Sequence, residues 1–451
     1  MKIEIVESLS GSFQILFSEN ETKFDLKKKQ IIQKVENISD SMEFRFAGGE
    51  AIKNLQNAVK IGMLSSDEVA TVSISETENF SEILEGILLS NYTFDKYLSE
   101  KKESPFQTLL VKKFKGAKKS VKRVQAIVDA TNFTRDIVNS MPQEMYPESV
   151  ANLGEELSKS NKLEITRLNS AEIEAEGMGM FSAVGRASVN PPVLLKLAHR
   201  PKDAKKKILL IGKGLTYDSG GLSLKPAEYM KNMKSDKSGA SAVLGVMKAV
   251  SEMNLNVEVV GFLGLAENMI GGNAYKPDDV LTAMNGKTVE IGNTDAEGRL
   301  VLGDTLLYAQ KTEKDFDYIF DIATLTGASV VGIGQFTSAI MGNNESLKKR
   351  VLKAGRDGGE YLATLPFNRF LRETLKSSIA DISNIANSRY GGAITAGLFL
   401  NEFIDKENKK KWIHIDIAGP AFNEKGWGFN PAGASGTGVR TLFKFIETLE
   451  K

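Results

Sequence analysis

The chain contains no cysteine. That absence excludes structural disulfides, thiolate-bound zinc, iron–sulfur clusters and a cysteine nucleophile together. Histidine is almost as scarce. Only His199 and His414 occur among 451 residues, so an HExxH zinc helix is impossible and a histidine-based triad has little to draw on. An excess of either charge is missing as well: 58 Lys and Arg stand against 57 Asp and Glu. No global field therefore attracts nucleic acid or an anionic membrane. No run of about 18 apolar residues occurs, and the opening MKIEIVESLSGSFQILF carries acids where a secretory signal would be apolar. A soluble, cytoplasmic protein is expected, whose chemistry rests on Asp, Glu, Lys, Arg, Ser or Tyr.

At roughly 150 residues per domain, this length implies two or three domains. Residues 1–120 mix short β-rich pieces (Lys2 to Val6, Phe13 to Phe17, Val69 to Ile74) with helical stretches such as Phe80 to Leu89, which predicts a smaller N-terminal α/β domain. Residues 121–140 continue a basic stretch, VKKFKGAKKSVKR, into an amphipathic linker helix. The lysines there read as a solvated helix face in preference to a nucleic-acid patch, because few aromatics interleave with them. Residues 141–451 alternate β-branched apolar runs with helical periodicity and Gly-rich turns, the pattern of a sheet covered by helices. Strands are predicted at Lys207 to Gly212, Val257 to Leu263, Thr288 to Gly292, Tyr318 to Ile322 and Trp412 to Ile417. Ligands in such folds sit at strand carboxyl ends.

Three clusters follow those strands. GKGLTYDSGGLSLKP places Lys213, Asp218 and Lys225 on one glycine-rich loop, and its spacing fits neither a phosphate loop nor a dinucleotide fingerprint. Asp236 precedes a run in which Ala240, Val243, Leu244, Met247 and Val250 recur at helical spacing. An Asp in that place is more often a helix cap than a ligand. In NTDAEGRL, Asp295, Glu297 and Arg299 alternate, so an extended segment would turn all three side chains to one side. If the loops converge, four carboxylates share one crevice and must either protonate or bind cations. Oxygen donors at that density suit a pair of divalent ions and hence a two-metal hydrolase. Mn, Mg, Co and carboxylate-bound Zn all remain open.

Together with LAENMIGGNAYKPDDV, DIATLTGA, YGGAITAGLFL and HIDIAGPA, these motifs resemble the leucyl aminopeptidase (cytosol aminopeptidase) family. The likeness covers Met141 to Leu442, and NTDAEGRL is the family's own signature. The resemblance implies a catalytic domain with a mixed central sheet flanked by helices, a homohexamer, and removal of an apolar first residue, preferably leucine, from peptides with a free N-terminus. It implies two divalent ions, Mn or Zn foremost with Mg or Co as other choices. Lys213, Asp218, Asp236 and Glu297 would hold the tighter ion; Asp218, Asp295 and Glu297 would hold the exchangeable one. Lys213 would then coordinate as the free amine. Lys225 and Arg299 would be catalytic, Arg299 through a bicarbonate proton relay, with Met233, Thr324, Leu325 and Gly327 lining the substrate pocket. Where the family usually has Met, this chain has Lys237, expected to point to solvent because lysine is rarely buried unpaired. Two other readings compete: a carboxylate-metal phosphoesterase, and a nucleic-acid-binding protein on the same scaffold.

Overall fold

The computed structural model describes residues 1–76, 78–101 and 103–450. It divides into two compact units, one of Met1–Asn132 with Glu424–Gly433, the other of Phe133–Asn423 with Ala434–Lys451. The division falls within the Ala117–Asn139 helix.

The first unit is built on a six-stranded sheet in the order Lys2–Val6, Thr108–Lys112, Thr71–Ile74, Phe13–Ser18, Gln30–Lys34, Lys23–Asp25. Neighbours run parallel except the last pair. The Ser41–Lys60 and Phe80–Ser90 helices supply Ile52, Leu55, Ile83 and Ile87 to its core. Lys112, Lys113, Lys115, Lys118, Lys119 and Lys122 of the basic stretch are exposed.

The second unit holds an eight-stranded mixed sheet in the order Tyr361–Thr364, Thr337–Gly342, Trp412–Asp416, Tyr318–Ala323, Lys207–Asp218, Glu258–Asn268, Val193–His199, Glu164–Leu168. The four central strands, from Trp412–Asp416 to Glu258–Asn268, run parallel, so Asp416, Ala323, Asp218 and Asn268 all lie at one edge. Burial on both faces explains why these strands read as continuous apolar runs. The mixed α/β fold anticipated for this region is the one observed.

Two local expectations are corrected. Residues 212–218 are not a loop: they complete the 12-residue Lys207–Asp218 strand, and Lys225 alone of the three lies in the turn that follows. Gly212 and Gly214 suit that strand because the Ser238–Met253 helix packs close over them, and a Cβ on Gly212 would lie 2.5 Å from Ala240 Cα. The Thr288–Glu290 strand stands outside the large sheet, in a three-stranded one with Val280–Thr282 and Ile382–Ser383.

Candidate metal centre

The parallel strands deliver their ends to a cavity of about 390 Å³ lined by Lys213, Asp218, Lys225, Asp236, Asp295 and Glu297. Met233, Thr324, Leu325 and Gly327 line it too, together with Tyr229, Val330 and Ala418. Of the anticipated residues, only Arg299 lies outside the lining. A carboxylate oxygen from each of Asp218, Asp236 and Glu297 falls within 4.8 Å of the others, and all three residues are buried.

Lys213 reaches this cluster from its strand. Its Nζ lies 2.8 Å from Asp236 Oδ1 and 2.9 Å from Glu297 Oε1, and it donates to the Thr324 carbonyl at 2.9 Å. Burial works to lower its pKa, but the charges of Asp236, Glu297 and Asp218 outweigh burial and hold it above the ordinary lysine value. Lys225 Nζ lies 2.9 Å from Asp218 Oδ2 and pairs with Asp295. It too is raised against burial, chiefly by Asp218 and Glu297.

Asp236 does not cap the following helix. The N-cap position falls on Lys237, which makes no side-chain cap bond. Asp236 Oδ1 instead accepts from Lys213 and from Thr324 Oγ1 at 2.8 Å. A short 3₁₀ turn, Met233–Lys237, carries it there. The NTDAEGR segment is likewise not extended. It bends through a turn at Thr294 and Asp295 and enters the Gly298–Thr312 helix, with Glu297 at N-cap in right-handed helical geometry. Arg299 therefore leaves the row of carboxylates. Its Nη1 donates to the Asn384 carbonyl at 2.7 Å and its Cζ stands 6.0 Å from the Phe399 ring centre. Burial brings its pKa down to about 10, against the pull of Glu297 and Asp416.

Lys237 is fully buried, in contrast to the expectation that it faces solvent. It is the last residue of the 3₁₀ turn, and its Nζ folds back to donate to the Lys234 carbonyl at 2.5 Å. Burial and the Lys234 charge lower it to about 7, opposed by Asp236 and Glu267.

The electrostatics are those of a site short of positive charge. Burial, then Glu297 and Asp236, push Asp218 up to about 7. Burial, Asp218 and Glu297 push Asp295 up to about 6. Asp236 is raised by burial and Glu297 although Lys213 opposes both. Only Glu297 falls below its ordinary value, where Lys213 and Lys225 overcome burial. Asp236 Oδ2 is buried without a hydrogen-bond partner. An unpaired carboxylate oxygen among raised carboxylates fits a divalent cation with oxygen ligands.

Several supporting residues escaped the sequence reading. Asn268 Nδ2 donates to Asp218 Oδ1 at 2.8 Å and to the Thr294 carbonyl at 3.0 Å. Asp416 accepts from Leu325 N at 3.1 Å, Thr326 Oγ1 at 2.7 Å and Ala418 N at 3.0 Å, which fixes the loop that bears Thr324. Both sit at carboxyl ends of central strands, a position that marks them. A larger cavity of about 620 Å³, lined by Met141, Tyr217 and Glu267 among others, holds no comparable cluster. Its carboxylate is bonded to Ser188 Oγ at 2.5 Å and Asn190 Nδ2 at 3.0 Å.

Residues 132–443 match the family model described as the cytosol aminopeptidase family, catalytic domain. A probable cytosol aminopeptidase of Campylobacter jejuni is 48% identical over 432 residues, covering 94% of this chain and 88% of that protein. One from Helicobacter hepaticus is 55% identical over 340 residues, covering 75% and 71%. Among solved structures, the bottromycin maturation enzyme BotP in complex with Mn superposes with a TM-score of 0.86 at 31% identity, covering 96% of this chain and 93% of that one.

Proposed function

The chain belongs to the cytosol aminopeptidase family, and from that premise we propose that it is a metal-dependent exopeptidase removing the first residue, preferably leucine or another apolar one, from peptides with a free N-terminus. The observation that carries this reading is the trio Asp218, Asp236 and Glu297, with carboxylate oxygens within 4.8 Å, buried at the carboxyl edge of the sheet beside Lys213 and Lys225.

Asp218, Asp236 and Glu297 would hold one divalent ion, joined by Lys213 once the dication has displaced the proton that these carboxylates keep on it in the metal-free site; Asp218, Asp295 and Glu297 would hold a second, Mn or Zn foremost. Bound there, the ions would polarise the scissile carbonyl and lower the pKa of water. The protein's own part begins with Lys225. As an ammonium placed against Asp218 and Asp295, it donates hydrogen bonds to the carbonyl oxygen as negative charge develops on it. Arg299, whose Nε is buried without a partner, is suited to hold the bicarbonate that the family resemblance implies, in place of a side-chain base. Met233, Leu325, Val330 and Ala418 form an apolar wall for the first side chain. A lining that combines buried carboxylates with these apolar side chains favours a ligand with a free amine beside an apolar group. We also propose hexameric assembly and a cytoplasmic location.

The test is release of the first residue from leucyl peptides by purified protein supplied with Mn, Zn, Co or Mg, beside N-acetylated peptides and a phosphodiester. Metal-dependent cleavage of the free-amine peptides alone is expected. Turnover that survives exhaustive chelation, or faster hydrolysis of the phosphodiester, would overturn the proposal.

A further inference from the structure

The bend that carries Asp295 and Glu297, and leads into the helix bearing Arg299, has little regular structure of its own. It is held at Thr294 by Asn268 and by Tyr275, whose hydroxyl donates to the Thr294 carbonyl at 2.7 Å, and by Ser223 and Gly220, which bond the Thr294 main chain and hydroxyl. Among the partners of the bend one side chain, that of Asn384, bonds the main chain on both sides of the turn at Thr294 and Asp295. Asn384 is fully buried. Its Oδ1 accepts from Gly292 N at 2.8 Å and Asn293 N at 3.4 Å, while its Nδ2 donates to the Asn293 carbonyl at 2.7 Å and the Ala296 carbonyl at 3.4 Å. Its own carbonyl accepts from Arg299 Nη1 at 2.7 Å.

We infer that Asn384 is a positioning residue for the site: one carboxamide clamps both arms of the acidic bend while the same residue's main chain sets the Arg299 guanidinium. The inference rests on the aminopeptidase reading above. Only a planar head with a donor and an acceptor can read an N–H and a C=O of one strand of chain together. Asn384 is itself anchored, its N–H donating to the Glu290 carbonyl at 2.9 Å as the Ile382–Ser383 strand extends beside Thr288–Glu290. The seat is close-fitting, since a Cβ on Gly292 would lie 2.7 Å from Ile385 Cγ1. Groups that orient metal-ligating carboxylates typically change affinity or activity about 10–100-fold when removed.

The experiment compares Asn384→Ala and the isosteric Asn384→Asp with Ser377→Ala. Ser377 bonds Glu290 Oε2 on the same small sheet without touching the bend. Mn²⁺ affinity by calorimetry, kcat and KM on a leucyl anilide, and thermal melting are measured. Both Asn384 variants should lose about 10–100-fold in Mn²⁺ affinity and in kcat at saturating Mn²⁺, with KM nearly unchanged because the apolar wall belongs to other segments. Ser377→Ala should match wild type. Wild-type affinity and kcat in either Asn384 variant would overturn the inference. So would an equal loss in Ser377→Ala, or lower melting with full kcat in the folded fraction. Weakened Mn²⁺ binding in the variants beside an inactive wild type would sink the aminopeptidase reading and leave the positioning role standing.

Discussion

Lys213 Nζ lies 2.9 Å from Glu297 Oε1, and Gly298 is what lets it arrive. A Cβ on Gly298 would stand 2.4 Å from Lys213 Cε and 2.6 Å from its Nζ. Gly298 opens a helix, where Ala would ordinarily stabilise by about 0.4–1 kcal/mol. Gly298→Ala should therefore displace the Lys213 amine and weaken Mn²⁺ binding about tenfold with little loss of melting temperature. Calorimetry beside thermal melting checks this, and unchanged Mn²⁺ affinity would refute the role given to that contact.

Glu297→Ala and Lys225→Ala should fail in different ways. Glu297 belongs to the buried carboxylate trio, so its loss should empty the site of bound metal. In the proposed mechanism Lys225 is a donor and not a metal ligand, so Lys225→Ala should keep metal and lose kcat by about 10²–10³-fold. Elemental analysis of dialysed protein together with steady-state kinetics separates the two outcomes. Equal metal loss in both variants would show the roles to be misassigned.

Cation binding should be coupled to protons. Asp218 at about 7 and Asp295 at about 6 hold protons that a divalent ion must displace, so affinity should fall as pH drops through that range. The stability sign follows from the same shifts. A carboxyl whose folded pKa is raised favours the folded state below its unfolded value of about 4 and loses that advantage as pH rises through the folded pKa. The metal-free protein should thus lose stability between pH 4 and about 7 from these groups, and Mn²⁺ should restore progressively more as pH increases. Melting curves with and without Mn²⁺ from pH 5 to 8 measure it; a constant gap between them would contradict the assignment.

The strands and the covering helix were legible in the sequence because burial on both faces and a repeat near 3.6 leave local marks. Lys213, Asp218, Lys225, Asp236, Asp295 and Glu297 were legible as well, and the structure brings them into one cavity. Local geometry was harder. Gly212 and Gly214 look like loop residues until the helix pressed against them is known. The alternation in NTDAEGR suggests an extended row, whereas the segment is a turn. Asn268 and Asp416 carried only the general mark of a strand's carboxyl end, and Asn384 carried none, because the main chain each one orients lies far along the chain and only the strand order brings it near.

Lys237 illustrates a feature the residue type argues against. Its ammonium is buried with one main-chain acceptor, the Lys234 carbonyl, and its pKa of about 7 means that charging it in the folded state is unfavourable. A basic group lowered on folding costs stability in full below its folded pKa, and the cost fades as pH rises from there toward the unfolded value of about 10.4. Met is unbranched, flexible and close in volume, so it can occupy the same space without the charge. Lys237→Met should raise stability at pH 6 by about 1–3 kcal/mol, less the loss at the Lys234 carbonyl, with a smaller gain at pH 9. Denaturant unfolding at the two pH values, on metal-free protein, tests this. A variant less stable at pH 6 than at pH 9, each relative to wild type, would mean that the buried lysine is paired in a way its contacts do not reveal.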